Sequence, residues 1–179
     1  MYDRQWYDAV WNPWAGCADV GPECQNCYVR REFAESKGEV VWGPAGTRRM
    51  TRREVWNVPH DLAAHLRPPE SCRVLTCSLG DFFEDWRGDI IDTQQKVITR
   101  SDKPITMGIL RNWAYKIMRE TPEITYLIQT RRPQNVLRML PAGRMRNIWI
   151  GITAGCHDTL AEAARHLIDL KQQSVMKTG

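Results

Sequence analysis

The sequence predicts an α/β fold, either an open parallel sheet or a partial (β/α) barrel, with a loop-rich N-terminal cysteine lobe. From residue 71 onward, strand-like and helix-like segments alternate three times, the pattern of parallel strands joined by right-handed helical crossovers. Residues 1–70, by contrast, are rich in Trp, Gly, Pro and Arg and keep no sustained helical period. A chain of 179 residues also suffices for one sizeable core and falls short of two. We therefore read residues 1–179 as one domain: a cysteine-loop and arginine-rich lobe over 1–70, then repeated strand–helix units over 71–179 that stop early.

Within the lobe, residues 28–36 form a short candidate helix, and residues 40–58 fit two short strands around a Gly43-Pro44 turn. Residues 73–78 are an apolar run entering Leu79-Gly80-Asp81, as a buried strand enters a loop. Asp102 and Pro104 make a helix start, after which Met107, Leu110, Ala114, Ile117 and Met118 recur at helical intervals. Residues 124–129 give the second strand, followed by Pro133 and a short helix through Val136, Leu137 and Leu140 that Pro141 and Gly143 stop. Residues 147–153 give the third strand, and Asp158 then caps a helix with Leu160, Ala163, Ala164, Leu167 and Ile168 on one side. Residues 174–179 resemble the start of a fourth strand, so a half-built barrel is expected. In such sheets ligands bind at the carboxyl ends of the strands, here residues 78–81, 129–132 and 153–157.

Composition narrows the function classes. The N-terminus has no basic start leading into an apolar core, and no run approaches the roughly 18 apolar residues of a membrane span. Neither a secretory signal nor a membrane segment is expected, and the expected compartment is the cytoplasm. A formal charge of +4 neither demands nor excludes a polyanionic partner. In a reducing cytosol, six cysteines read as ligands, catalytic thiols or small buried groups before they read as disulfides.

Their spacing is informative. Trp11-Asn12-Pro13-Trp14-Ala15-Gly16-Cys17 is followed, after six residues, by Cys24-Gln25-Asn26-Cys27-Tyr28, so three thiols fall within eleven positions. A Cys-x-x-Cys pair grips one metal from a tight turn, and the third thiol returns across a loop holding Gly21 and Pro22. Structural zinc is four-coordinate and needs a further ligand; Cys72, Cys77, Cys156 and His60 are candidates, none of them in a second Cys-x-x-Cys or Cys-x-x-His. A [4Fe-4S] cluster on three cysteines keeps one iron open for a cofactor or substrate. The missing second ligand pair favours the cluster over zinc, and both over three unrelated thiols.

These residues resemble the phage gene-product 37/68 family, phage and bacterial proteins with a Trp-Asn-Pro-x-x-Gly-Cys … Gly-Cys-x-x-Cys-Tyr signature. Here it reads Trp11, Asn12, Pro13, Gly16, Cys17, Cys24, Cys27 and Tyr28, with Glu23 in place of the second glycine. Residues 78–83, 127–133 and 147–153 resemble the family's strand ends. The family is similar to radical S-adenosylmethionine enzymes, whose three cysteines hold a [4Fe-4S] cluster with an open iron that binds the methionine part of the cofactor. The resemblance implies a cluster on Cys17, Cys24 and Cys27 with S-adenosylmethionine as cofactor, in a phage protein working in the host cytoplasm. It also implies that Tyr28, Ser78, Asp81, Gln129, Arg131 and Thr153 face cofactor and substrate. The chain departs from the pattern in three places: six residues separate the first two cysteines where radical enzymes have three; Asn26 rather than an aromatic precedes the third; and Gly155-Cys156 stands where the family carries Glu-Asn. Family members also continue with further strands, so a protein partner or a second copy is expected to cover the open barrel edge.

Other candidates have plainer competitors. Arg48, Arg49, Arg52 and Arg53, with Trp42 and Trp56 nearby, suit a nucleic-acid groove that follows phosphates and stacks bases, or, more simply, an exposed arginine-rich hairpin. Arg131-Arg132 suits a bound carboxylate or phosphate, or a solvated helix start. Asp81, Glu84 and Asp85 suit hydrogen bonding to a cofactor, or a solvated acidic turn. His157 reads as a neighbour of a helix start, Cys77 as a small apolar group, and Trp113 and Trp149 as packing residues. Two functions follow. One is a radical-type iron–sulfur enzyme; the other is a non-catalytic protein whose loop is stapled by zinc or an inert cluster and whose arginines contact nucleic acid or protein.

Overall fold

The computed structural model describes residues 6–35, 37–143 and 145–176. In chain order the lobe contributes strands β1 (Ala9–Trp11), β2 (Trp14–Ala15) and β3 (Arg48–Met50) and helix α1 (Arg53–His65). Then come β4 (Cys72–Thr76), β5 (Ile90–Ile91), β6 (Thr99–Arg100), β7 (Lys103–Pro104), α2 (Met107–Glu120), β8 (Ile124–Thr130), α3 (Pro133–Met139), β9 (Ile148–Ile152) and α4 (His157–Met176). Strands β1, β4, β8 and β9 form one parallel sheet in that order, flanked by helices and open at both edges.

The sheet follows from its side chains. On β4, Cys72, Val74 and Thr76 are buried while Arg73 is exposed, and central β8 is buried almost throughout, as a strand covered on both faces must be. Helix α1 packs on β1 and α2, and α3 packs on α4. Trp11, Phe82, Leu110, Tyr115, Tyr126 and Ile128 belong to one continuous core.

Two elements lie outside the strand–helix alternation that starts at residue 71. Strand β1 has three residues, of which only Trp11 is buried. Helix α1 buries only Trp56 and Pro59, so β3 and the first turns of α1 replace the strand pair expected over 40–58. Pro59 has no N–H to give the Val55 carbonyl one turn back, and the Trp11 indole N–H fills that carbonyl instead, at 2.9 Å. A helix with an internal proline is thus joined to the first strand of the sheet.

Other expectations shift. The turn at Asp102 lies in the β6–β7 hairpin, and Thr106 caps α2 by accepting the Ile109 N–H at 3.3 Å. Over the expected helix at 28–36, the chain winds as a π-helix at Arg30–Glu35; Ser36 lies outside the described residues. Helix α4 runs through 174–176 in place of the expected fourth strand, and 177–179 lie outside the described residues. Of the expected apolar face of α4 only Ala163 is buried, while Leu160, Leu167 and Ile168 are exposed. Trp149 on β9 is 64% exposed rather than packed, because β9 is the last strand of the sheet among the described residues. Trp113 does pack, edge-on to Trp56. Among the described residues, no helix is long and apolar enough to cross a membrane.

A second, small sheet organises the lobe. Strand β2 pairs antiparallel with β3, which pairs parallel with β5; Trp14 is opposite Met50, and Ala15 opposite Arg49. Residues 16–47 are therefore one excursion gathered at its base.

Candidate metal and cofactor site

The residues leading into Cys17 are a positioning device. Trp11 and Trp14 are fully buried, Trp14 against Phe82 with ring centroids 5.2 Å apart. Between them, Asn12 Oδ1 accepts the Ser78 hydroxyl at 3.2 Å and the Leu79 N–H at 3.1 Å. The Gly16 N–H donates to the Leu79 carbonyl at 2.9 Å. Gly16 sits at φ +108°, and a Cβ there would collide with the Thr47 carbonyl oxygen, so only glycine fits. The thiol loop therefore hangs from the ends of β1 and β4.

Beyond Cys17, Pro22–Cys24 is a 3-10 turn, and the Cys27 N–H donates to the Cys24 carbonyl at 3.1 Å. Glu23 fixes the far side of this turn. Its Oε1 accepts the Gly155 N–H at 3.0 Å and the Thr159 hydroxyl at 2.6 Å. The Thr159 hydrogen bond, with those from backbone N–H groups, holds the Glu23 carboxyl below its usual range. A Cβ on Gly155 would collide with Glu23 Cγ. Two departures from the resembled signature, Glu23 for glycine and Gly155 in the Glu-Asn pair, thus meet in space.

Cys17, Cys24 and Cys27 line one cavity of about 380 Å³ at the carboxyl ends of β4, β8 and β9, a volume in the range of small-molecule sites. Tyr28, Ser78, Asp81, Gln129, Arg131 and Thr153 line the same cavity. Asp81 has no carboxylate oxygen left over. Its Oδ1 accepts the Phe83 N–H and the Thr130 hydroxyl at 2.9 and 2.8 Å, and its Oδ2 accepts the Arg131 N–H at 3.0 Å and meets Arg132 Nη1 at 3.1 Å. These contacts fix the 130–132 turn from the wall of the cavity. The Ser78 hydroxyl is engaged by Asn12. Tyr28, 55% exposed, stands at the surface of the cavity.

Under the cavity lies a buried ionic network with no sequence signature. Arg48 is 0% exposed; its Nε and Nη2 meet Glu84 Oε2 and Oε1 at 2.5 and 2.7 Å, and its guanidinium stacks 4.0 Å from the Trp86 ring centre. Arg132 Nη2 donates to Glu84 Oε1 at 3.0 Å and to the Ala18 carbonyl at 2.7 Å, while its Nη1 lies 3.4 Å from Cys17 Sγ. Arg131 Nη1 lies 3.9 Å from Cys24 Sγ. These contacts correct two readings. Glu84 is buried by its guanidinium partners rather than solvated. Of the four arginines considered for nucleic acid, Arg48 is inaccessible, Arg49 is ion-paired with Glu39, and Arg52 and Arg53 alone are exposed.

Electrostatics tie the network to the thiols. Burial disfavours a charged Arg132, yet Cys17, Asp81 and Glu84 outweigh it and raise the guanidinium's pKa. Burial pushes the Cys17 thiol up to about 12 against the pull of Arg132, so ligation there must displace a proton.

The remaining cysteines divide sharply. Cys77, buried and at φ 62°, lines the cavity behind the loop thiols. Cys72 is buried in β4, Cys156 is exposed at the start of α4, and His60 faces Glu120 on the surface; none of these lines the cavity. Among the described residues, no three Cys, His, Asp or Glu side chains stand close enough to hold a metal ion together. The structure brings three loop thiols to one cavity, with a guanidinium against two of them. Three soft sulfur donors in one cavity with cationic neighbours are the donor type that an iron–sulfur cluster takes, and thiolate is a zinc ligand too, though these thiols are not drawn together on a single ion.

No curated protein and no solved structure matches the chain. A protein family described as of unknown function, DUF5131, matches residues 3–175. Through that match, which spans nearly its whole length, the chain belongs to the DUF5131 family.

Proposed function

We propose that the chain is an iron–sulfur protein of the radical S-adenosylmethionine type, phage-encoded as the family resemblance implies, with a [4Fe-4S] cluster on Cys17, Cys24 and Cys27. One observation carries this reading: the three loop thiols share a single cavity with the strand-end residues Ser78, Gln129, Arg131 and Thr153. The cluster, when bound, supplies an electron to a sulfonium cofactor at an iron without a protein ligand. The chain's own residues place and shield it. Asn12 and Gly16 set the base of the loop and Glu23 its far end; Arg131 and Arg132 offset thiolate charge; Tyr28, Gln129 and Thr153 contact the cofactor. The test is anaerobic reconstitution, reduction and addition of S-adenosylmethionine. A changed electron paramagnetic resonance spectrum and formation of 5′-deoxyadenosine are expected, whereas an intact cluster with neither would reduce the protein to a cluster-stabilised binding module.

A second reading has its own observation. Cys77 lines the same cavity, which makes four thiols, the number that closes a structural zinc site. Cys77→Ser leaves iron content unchanged in the first reading and removes zinc in the second. A protein partner at the β9–α4 edge belongs to the proposal too, supported by exposed Trp149, Leu160 and Leu167. For nucleic acid, the support has shrunk to Arg52 and Arg53.

A further inference from the structure

We infer that Arg131 and Arg132 set the reduction potential of the metal centre, acting as positioning and charge-compensating residues rather than as ligands. The inference rests on the cluster reading above, and it starts from geometry. Arg132 Nη1 is 3.4 Å from Cys17 Sγ and Arg131 Nη1 is 3.9 Å from Cys24 Sγ, so two neighbouring residues at one strand end address two different thiols of the loop.

The Arg132 side chain is locked in place, and the backbone of Arg131 is fixed beside it. Arg132 is 6% exposed and is held by Asp81, Glu84 and the Ala18 carbonyl. The backbone N–H of Arg131 is fixed by Asp81 at 3.0 Å. Within the network, Asp81 and Glu84 pair with Arg48 and Arg132, and the buried guanidinium of Arg111 beside them, held by the Phe82 and Glu84 carbonyls, leaves no anion over to offset a further cation. Arg131 then adds a cation on the cavity side, and its Nε is buried without a hydrogen-bond partner. A buried donor without an acceptor carries a cost unless something accepts from it, and the same guanidinium already approaches Cys24 Sγ through Nη1.

The direction of the effect follows from charge. Adding an electron makes a thiolate-ligated cluster more negative, and a fixed cation within about 4 Å stabilises that form more than the oxidised one. Hydrogen bonds to the cluster sulfurs act the same way. Both arginines therefore raise the potential.

The test is an anaerobic redox titration of the full-length, cluster-loaded protein, followed by electron paramagnetic resonance. Arg131→Gln should lower the equilibrium constant for reduction at least tenfold, about 59 mV for one electron, with iron content unchanged; Arg131→Lys should restore most of it. Arg132→Lys keeps the charge and should stay within about threefold of the parent protein on the same scale. Arg132→Gln strands Asp81 and Glu84 and endangers folding, so the half-buried Arg131 decides. A loaded Arg131→Gln protein that titrates with the parent overturns this inference and leaves the cluster reading intact. Zinc without iron in the parent protein overturns both.

Discussion

The parallel sheet and the cysteine loop are held together by different means. Around β4 and β8 the chain buries Val74, Tyr126, Ile128, Leu110 and Met118 in one apolar core, where stability is spread over many contacts. Among its described side chains, the excursion at 16–47 buries few apolar ones: Cys24, Val29 and Val40. Its position depends instead on single polar contacts from Asn12, Gly16, Glu23, Arg48 and Arg132. The contrast teaches that the sheet supplies the fold while a handful of residues aim the thiols. Damage to the two regions should therefore look different: unfolding in one, misplacement in the other.

Arg48 joins both regions, and its loss should have the largest effect. Arg48→Ala leaves Glu84 buried with one guanidinium fewer, which costs about 3–5 kcal/mol; urea denaturation reads this, and a loss below about 1 kcal/mol would show that the pair behaves as a surface ion pair. Next comes Trp11→Phe. It keeps an aromatic in the core but orphans the Val55 carbonyl opposite Pro59, a loss of about 1–3 kcal/mol that Pro59→Ala should partly relieve by supplying the missing N–H. The smallest effect on global stability belongs to Glu23→Ala. Its unfolding midpoint should match the parent, while amides of the 20–27 turn and of Gly155 exchange faster by hydrogen–deuterium mass spectrometry; unchanged exchange would remove Glu23 from the set of residues that aim the loop.

The same contrast explains what could be read from the sequence. The runs now seen as β4, β8 and β9 announce themselves by apolar patterning. Parallel strands put their carboxyl ends on one side, so residues 78–81, 129–132 and 153 can be placed together without coordinates. Asn12 and Gly16 were visible as motif residues but not as the hydrogen bonds and close approach they make. The ionic network left no trace, since Arg48 and Glu84 are 36 positions apart and each resembles a surface charge in its own neighbourhood. Glu23 and Gly155 are 132 positions apart, and the hydrogen bond and the close approach that a Cβ on Gly155 would block are both invisible in sequence. Helix α1 was hidden by Pro59, and α4 misled because its apolar residues lie on a face left open beside β9.

The most direct measurement is metal and sulfide content of the full chain purified without oxygen, beside Cys24→Ala. About four iron and about four acid-labile sulfide per chain, both lost in Cys24→Ala, is the predicted result. Stoichiometric zinc with no iron or sulfide in the parent chain would contradict it.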